Sequence, residues 1–598
     1  MRMQMENTTK KAKESKPGPR RLLGLPGRLV GNFFFFLKRG RIGLRNSIRR
    51  LRRAECDYVF LTLGGSLPER SGPPRRFFQR FLPFPEPPLS MQALNARLWR
   101  ISQARNVRGV ILIFTGFSAG LATLQNVRRS IARLRAAGKE VIVYTPYLNV
   151  PNFLVACAAD RIIVPEGANF EVLGLRTETL FLKDALQRIG VKVDVLQISP
   201  YKTAGNVVGE SNMTPEQEAQ LNWLLDDRYD QITADMASGR GLDQSALQTI
   251  IDQAPFPAAK ALEQGLVDHV AYQDELARLL APEGQEEANF WTWPAARRLL
   301  LETVIRRSRR FIGVVSLEGS IVPGPSRQSP VDIPVPFIGG NVAGEETLTG
   351  LLRRVEKLPG MAALILHVDS PGGVALPAEL IGRQVARLAQ KMPVLVYMGN
   401  VAASGGYYVA APGQHIMCQP GTLTGSIGIL SGRANTDGLY NMLQVNRTIL
   451  SRGARAGLYA DSGELSVADR TALWDNIVDT YNRFKQAVAE GRNLPFDSLD
   501  EICEGRIWTG RQAQEHQLVD SFGDFIDAIS QVAEMAGLPA EPAQVSVANF
   551  FPAGRNAFTI PQSFPLPQEF LSFLNEGPRQ WLDGRSLALM PFTFTRWW

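Results

Sequence analysis

The stretch Asn400-Val-Ala-Ala-Ser404-Gly-Gly-Tyr-Tyr408 sets one hydroxyl among small residues, directly after the apolar run Val394 to Tyr397. A serine at a turn from a strand into an apolar helix can aim its Oγ at a cleft while a substrate backbone passes close by, which is the placement of a nucleophile. The same residue could instead cap that helix. A second segment, Asp369-Ser-Pro-Gly372-Gly373-Val374, ends the apolar run Ala363 to Val368. Paired glycines at the end of a parallel strand let backbone N–H groups approach a ligand and face a developing oxyanion. A tight strand-to-helix turn would use the same residues.

A nucleophilic serine needs a base. His367 sits inside an apolar strand and His415 directly precedes Ile416-Met417, so both read as structural, although either could complete a Ser-His-Asp arrangement. The other candidate is a lysine, which becomes a base when desolvation lowers its pKa toward working pH. Lys202, in Ser199-Pro-Tyr-Lys-Thr-Ala-Gly205, follows the apolar run Val193 to Ile198. A lone loop lysine is ordinarily a solvated charge.

What singles out both residues is a duplication. Val110-Ile-Leu-Ile113, Arg129-Ser-Ile-Ala-Arg-Leu134 and Val141-Ile-Val143 recur as Leu364-Ile-Leu-His367, Arg383-Gln-Val-Ala-Arg-Leu388 and Leu395-Val-Tyr397, each 254 positions later. Farther along the offset becomes 252, where Gly265-Leu-Val-Asp268 meets Gln517-Leu-Val-Asp520. At these offsets Val150 stands opposite Ser404, and Ala454 opposite Lys202. The half with the lysine lacks the serine, and the half with the serine lacks the lysine. Within each half, short apolar runs alternate with helix-period stretches, which predicts crossover units and a largely parallel sheet covered by helices.

The division this predicts is a basic tail at 1–55, a first half at 56–290, a helical linker at 291–310, a second half at 311–540 and an aromatic-rich extension at 541–598. The tail carries a net +13, whereas residues 56–598 carry −4. The basic excess therefore belongs to the tail, and the body has no compositional case for nucleic acid. Phe33 to Phe36 and Leu37, set among arginines, are too short an apolar run to span a bilayer and suit a headgroup boundary. The extension holds 11 Phe and Trp residues and ends in Trp597-Trp598. It is read as a strap on the body or a second membrane contact. Cys56, Cys157, Cys418 and Cys503 form no CxxC pair, and the four histidines have no HExxH spacing, so no metal site is predicted and the thiols are expected to be buried. No phosphate-binding glycine motif follows a strand, so no cofactor and no ATP dependence are expected.

Together, Asp369-Ser-Pro-Gly-Gly373, Ala403-Ser-Gly-Gly-Tyr407, Leu423-Thr-Gly-Ser-Ile-Gly428, Tyr201-Lys202 and Gly505-Arg-Ile-Trp-Thr-Gly510 before Leu518-Val-Asp520 resemble the signal peptide peptidase A (protease IV) family in its long duplicated form. The likeness covers roughly residues 56–540. It implies an α/β fold of the ClpP/crotonase type and a Ser/Lys dyad of Ser404 as nucleophile and Lys202 as general base. It further implies oxyanion contacts at Gly372 and Gly373, Ser426 lining the same site, and a homotetramer that degrades signal peptides and other hydrophobic peptides at the bacterial cell membrane. Where a spanning helix is usual in that long form, this sequence has the short Phe-rich run, which points to peripheral or monotopic attachment. The competing readings are a crotonase-fold acyl-CoA enzyme and a non-catalytic membrane scaffold.

Overall fold

The computed structural model describes residues 24–51, 55–73, 87–328, 341–551 and 587–589. The Lys-rich start and the terminal Trp597-Trp598 lie outside these ranges.

The duplication in sequence is a duplication of elements. In the first half, parallel strands run in the order Phe290–Thr292, Cys56–Gly65, Val107–Phe117, Glu140–Tyr144, Arg161–Val164 and His269–Val270. In the second half Ser546–Phe550, Phe311–Glu318, Met361–Ser370 and Val394–Ala403 repeat the pattern, and His415–Cys418 and Ser521–Phe522 continue it. The strands are near-continuous Val/Ile/Leu runs because helices cover both faces of each sheet, and residues such as Val110, Leu112, Leu364 and Leu366 are buried. This is a ClpP/crotonase-like α/β fold.

The long helices also match across the halves, Pro215–Arg240 against Val467–Arg492. Thr214 and Ser466 cap their first turns by accepting from the N–H three residues on, and Gly241 and Asn493 end them in the left-handed conformation.

Two expected boundaries shift. Helix within 291–310 is confined to Trp293–Leu299, and Phe290–Thr292 is an edge strand of the first sheet. The second sheet extends past 540, since Ser546–Phe550 pairs in parallel with Phe311–Glu318.

A third sheet stitches the halves together. Its order is Arg327–Gln328, Asn341–Gly344, Ser320–Val322, Gly372–Val374, Leu587–Leu589, Leu430–Asn435 and Lys192–Gln197. The last two strands come from different halves and pair antiparallel over six residues, from Gln197 opposite Leu430 to Lys192 opposite Asn435. Elsewhere along the seam Asn400 donates to Thr123 Oγ1 (2.9 Å) and accepts from Thr123 N–H (3.1 Å). Arg511 binds Asp230 at 2.6 Å, and Arg129 binds Asp527 at 2.6 Å.

The amino-terminal helix Gly24–Leu51 docks by its last turns, where Asn46 and Arg49 donate to the Glu302 and Leu300 carbonyls. Phe33, Phe36, Leu37, Leu44, Ile48 and Leu51 remain exposed. At about 100° per residue these six fall within an arc of roughly 120°, one apolar stripe. Among the described residues no helix is long and apolar enough to cross a membrane.

Candidate active site

Ser404 stands between the strand Val394–Ala403 and the helix Gly405–Ala410, with φ 55° and ψ −118°. That conformation costs a residue with a Cβ about 1–3 kcal/mol and persists only where neighbours enforce it. Here the Ser404 N–H donates to Gly425 O (2.8 Å), and the Tyr408 N–H donates to Ser404 O (2.9 Å). Gly406 lets the turn press on the preceding strand, since a Cβ there would lie 2.8 Å from the Ser370 carbonyl oxygen. The glycine at 406 thus has a steric cause. In the first half, Asn149 caps the equivalent helix by accepting from the Asn152 N–H at 3.1 Å. Ser404 holds the cap position of its own helix but makes no cap bond. Its Oγ lies instead 2.7 Å from Lys202 Nζ.

Lys202 arrives from the other half. The strand Lys192–Gln197, held against Leu430–Asn435, delivers the next turn over Ser404. That turn is fixed by Ser199, whose Oγ accepts from the Tyr201 N–H (3.1 Å) and donates to the Glu504 carbonyl. Gly505 (φ 84°) packs flat on the lysine, since a Cβ at that position would lie 2.6 Å from Lys202 Cα and Cβ.

The Lys202 side chain is completely buried. Besides Ser404 Oγ, its Nζ reaches Ser426 O at 2.8 Å and Ser426 Oγ at 2.9 Å. No carboxylate is among these partners, and burial alone holds the group well below the ordinary lysine value. A neutral amine has two N–H donors and one lone pair. Two contacts to Ser426 and one to the Ser404 hydroxyl match that inventory, so the geometry suits a base that receives the serine proton.

Ser426 itself has φ 52° and donates its N–H to Arg506 O at 2.6 Å. It was expected to line the site, and its contacts there are with the lysine. Gly372 (φ 106°) and Gly373 lie in the strand Gly372–Val374, beside Ser370. The Gly372 N–H donates to Ser370 Oγ at 3.2 Å, and Gly373 pairs with Ile321. A side chain at Gly373 would collide with the Ile321 backbone, which explains the second glycine. Both histidines are engaged elsewhere. His367 Nδ1 is 3.2 Å from Ser316 Oγ, and His415 Nε2 is 2.8 Å from Ser521 Oγ. The four cysteines are buried and unpaired.

Sequence reasoning missed the aromatic row that begins at Tyr201, next to Lys202 in the chain. Tyr201, Trp223 and Trp508 stack in series, with ring centroids 5.9 and 5.3 Å apart. Trp223 donates to Ile507 O at 3.0 Å, and the Arg506 guanidinium sits 4.2 Å from the Tyr201 ring centre. The Gly505-Arg-Ile-Trp-Thr-Gly510 motif carried part of this signal. Trp223, in the middle of a long helix, carried none.

Residues 133–285 and 386–539 each match the description "Peptidase family S49". A relative from Arabidopsis thaliana, "Serine protease SPPA, chloroplastic", is 28% identical over 459 residues, covering 75% of this chain and 66% of that protein. "Protease 4" of Haemophilus influenzae is 26% identical over 457 residues, covering 73% of this chain and 72% of that protein. Among solved structures, a mutant of the 1510-N membrane-bound stomatin-specific protease in complex with a substrate peptide is 16% identical, with a TM-score of 0.26 over 42% of this chain and 95% of that one.

Proposed function

This chain belongs to peptidase family S49 and is a serine peptidase, and from that premise we propose that it cleaves hydrophobic peptides, spent signal peptides among them, with Ser404 as nucleophile and Lys202 as general base. The observation that carries the reading is the 2.7 Å separation of Nζ and Oγ at a fully buried lysine with no carboxylate among its partners.

In the first step the Ser404 proton passes to neutral Lys202 while Oγ bonds to the peptide carbonyl carbon. The carbonyl oxygen becomes an oxyanion, which backbone N–H groups at the Gly372–Gly373 turn receive in exchange for the long bond to Ser370. Collapse breaks the C–N bond as the Lys202 ammonium returns its proton to the leaving amine. Water then takes the amine's place. Lys202 removes a proton from it, hydroxide attacks the acyl ester, and the proton goes back to Ser404 Oγ. The charge on Lys202 is transient, so a buried site without a carboxylate can sustain the cycle.

The location we propose is the membrane surface, with the stripe Phe33, Phe36, Leu37, Leu44, Ile48 and Leu51 entering the headgroup boundary and the flanking arginines meeting anionic lipid. Exposed Met442, Leu443, Ile449 and Leu450 support assembly with further copies of the chain into a homotetramer.

The test is Ser404→Ala with a fluorogenic apolar peptide and a fluorophosphonate probe. Turnover and labelling are both expected to vanish with the fold intact. Turnover above a few per cent of the parent, or a serine elsewhere taking the probe, overturns the assignment. A crotonase-type acyl-CoA enzyme would show no probe-reactive serine in the parent chain either.

A further inference from the structure

The strand Val394–Ala403, which delivers Ser404, changes neighbours on the way. Its first part pairs with His415–Cys418, from Leu395 opposite His415 to Tyr397 opposite Met417. Its last part pairs with Leu423–Gly425, from Val401 opposite Leu423 to Ala403 opposite Gly425. Against Met361–Ser370, on the other side, the register slips at the same place: Val368 faces Met398, but Ser370 faces Ala402. Asp369 alone therefore spans Gly399, Asn400 and Val401, a bulge with two residues in excess. A bulge bends its strand and re-aims the side chain beyond it. Here it carries Ser404 toward Leu423–Gly425, the strand that runs on into Ser426 beside Lys202.

Two clamps hold the bulge. The first is Asp369, whose carboxylate accepts from the Val401 N–H at 3.1 Å and from the Asn400 N–H. Gly399 packs flat on it, since a Cβ there would lie 2.8 Å from Asp369 Cγ. The second clamp reaches across the seam. The first-half helix Leu121–Ala136 begins at Gly120, which has no side chain to cap it. Asn400 supplies the cap from the other half. Its Oδ1 accepts from the Thr123 N–H at 3.1 Å, the donor a cap residue would ordinarily take, and its Nδ2 donates to Thr123 Oγ1 at 2.9 Å. A Cβ at Gly120 would fall 2.4 Å from that Oδ1, so the glycine makes room for the visitor. The sister half has neither clamp: 254 positions earlier, Thr115 stands opposite Asp369, and Pro146, with no N–H, opposite Asn400.

We propose that Asp369 and Asn400 are positioning residues for Ser404, Asn400 referring the serine to the same half of the chain that supplies Lys202. The proposal rests on the reading of Ser404 as nucleophile and deepens it. The serine's φ of 55° persists only while its neighbours enforce it, and the bulge, four residues upstream, fixes where its turn begins. A displacement of about 1 Å at a reacting group costs on the order of 100-fold in rate. By tying the bulge to the helix Leu121–Ala136, Asn400 makes any shift between the halves move base and nucleophile together. Both residues act through backbone, so their loss is felt in kcat and leaves KM nearly constant.

The experiment measures kcat and KM on a fluorogenic apolar peptide, the rate of fluorophosphonate labelling, and thermal unfolding. Asn400→Ala and Asp369→Asn are each expected to lower kcat at least tenfold with KM within twofold, and to slow labelling in proportion. Asn400→Asp keeps an acceptor for the Thr123 N–H, and the Thr123 hydroxyl can turn to donate to it. It is expected to stay within threefold of the parent. Thr123→Val, a change of similar shape in the opposite half, is expected to lose about threefold in kcat. Ser466→Ala is the structural control: it removes a bond of the same kind, to the Asp469 N–H at 3.1 Å, and is expected to lower Tm at unchanged kcat. Parent-like kcat in both Asn400→Ala and Asp369→Asn overturns the proposal, as does Asn400→Asp as slow as Asn400→Ala, or a loss confined to KM. An inactive Ser404→Ala beside a fully active Asn400→Ala removes this proposal alone. Full turnover by Ser404→Ala removes the nucleophile reading and this proposal with it.

Discussion

Replacing Gly505 by alanine should disable the enzyme through Lys202, with the serine untouched. The new Cβ would stand 2.6 Å from Lys202 Cα and Cβ and 2.8 Å from its N. Carbon atoms rest at about 3.5 Å or more, so one backbone must retreat by roughly 0.9 Å. The Nζ to Oγ separation is 2.7 Å, and a hydrogen bond reaches only to about 3.2 Å, leaving some 0.5 Å of slack. Misplacing a reacting group by about 1 Å costs on the order of 100-fold in rate. Alanine at φ 84° also strains the backbone by about 1–2 kcal/mol. Gly241→Ala isolates that strain, because Gly241 has φ 65° and open space where its Cβ would go. The assay is kcat/KM on a fluorogenic apolar peptide, with thermal unfolding of each variant. Gly505→Ala is expected to lose about 100-fold, mostly in kcat, and Gly241→Ala less than twofold at a similar Tm. If the two variants fall within threefold of each other, the close packing of residue 505 does not set the lysine, and the reasoning fails.

Ser426→Ala deletes the 2.9 Å contact to Lys202 and keeps the carbonyl contact at 2.8 Å, so kcat should drop about tenfold with KM nearly constant; an equal rise in KM would mean that Ser426 holds substrate instead. Burial depresses the Lys202 pKa in the folded chain, so the unfolded chain binds the extra proton between the folded value and the ordinary 10.5, and stability from this residue rises with pH across that window. Urea melts of Lys202→Met should therefore show a stability difference from the parent that shifts in the parent's favour as pH rises toward 10, and a pH-independent difference would contradict the buried neutral amine. Deleting residues 1–51 should abolish co-sedimentation with anionic vesicles, while replacing Phe33, Phe36 and Leu37 together with serine should leave only a salt-sensitive remainder; unchanged binding after the deletion would assign membrane contact to another part of the chain.

The two halves were legible because a buried parallel strand tolerates little but Val, Ile and Leu, so the copies kept a common pattern at offsets of 254 and 252. Ser404 and Lys202, which the fold brings to 2.7 Å of one another, were singled out in the sequence for the opposite reason, since each stands where its sister half has an inert residue. The third sheet left no such trace. Its strands are mostly two to six residues long and drawn from both halves and the tail, too short for a period and paired over separations that no local pattern encodes. Gly505 lay within a quoted motif, yet only the packed structure reveals that its missing side chain makes room for a lysine backbone. The extension at 541–598 was weighed as strap or membrane contact from its aromatics. Its described parts are a short helical turn at Pro542–Gln544 and two strands, of which Ser546–Phe550 joins a sheet edge through backbone pairing that composition does not report.

The placement of the proposed dyad across the seam also has a consequence in time. Lys202 leaves the ribosome about 200 residues ahead of Ser404 and 224 ahead of Ser426, its other partner. Until both sheets have formed and Lys192–Gln197 has zipped onto Leu430–Asn435, the amine stays in water as an ordinary ammonium and the serine has no base. Reactivity is thus the last property the chain acquires. On the proposed mechanism a nascent or half-folded molecule lacks the base it needs to cut its neighbours while its own apolar strands are exposed.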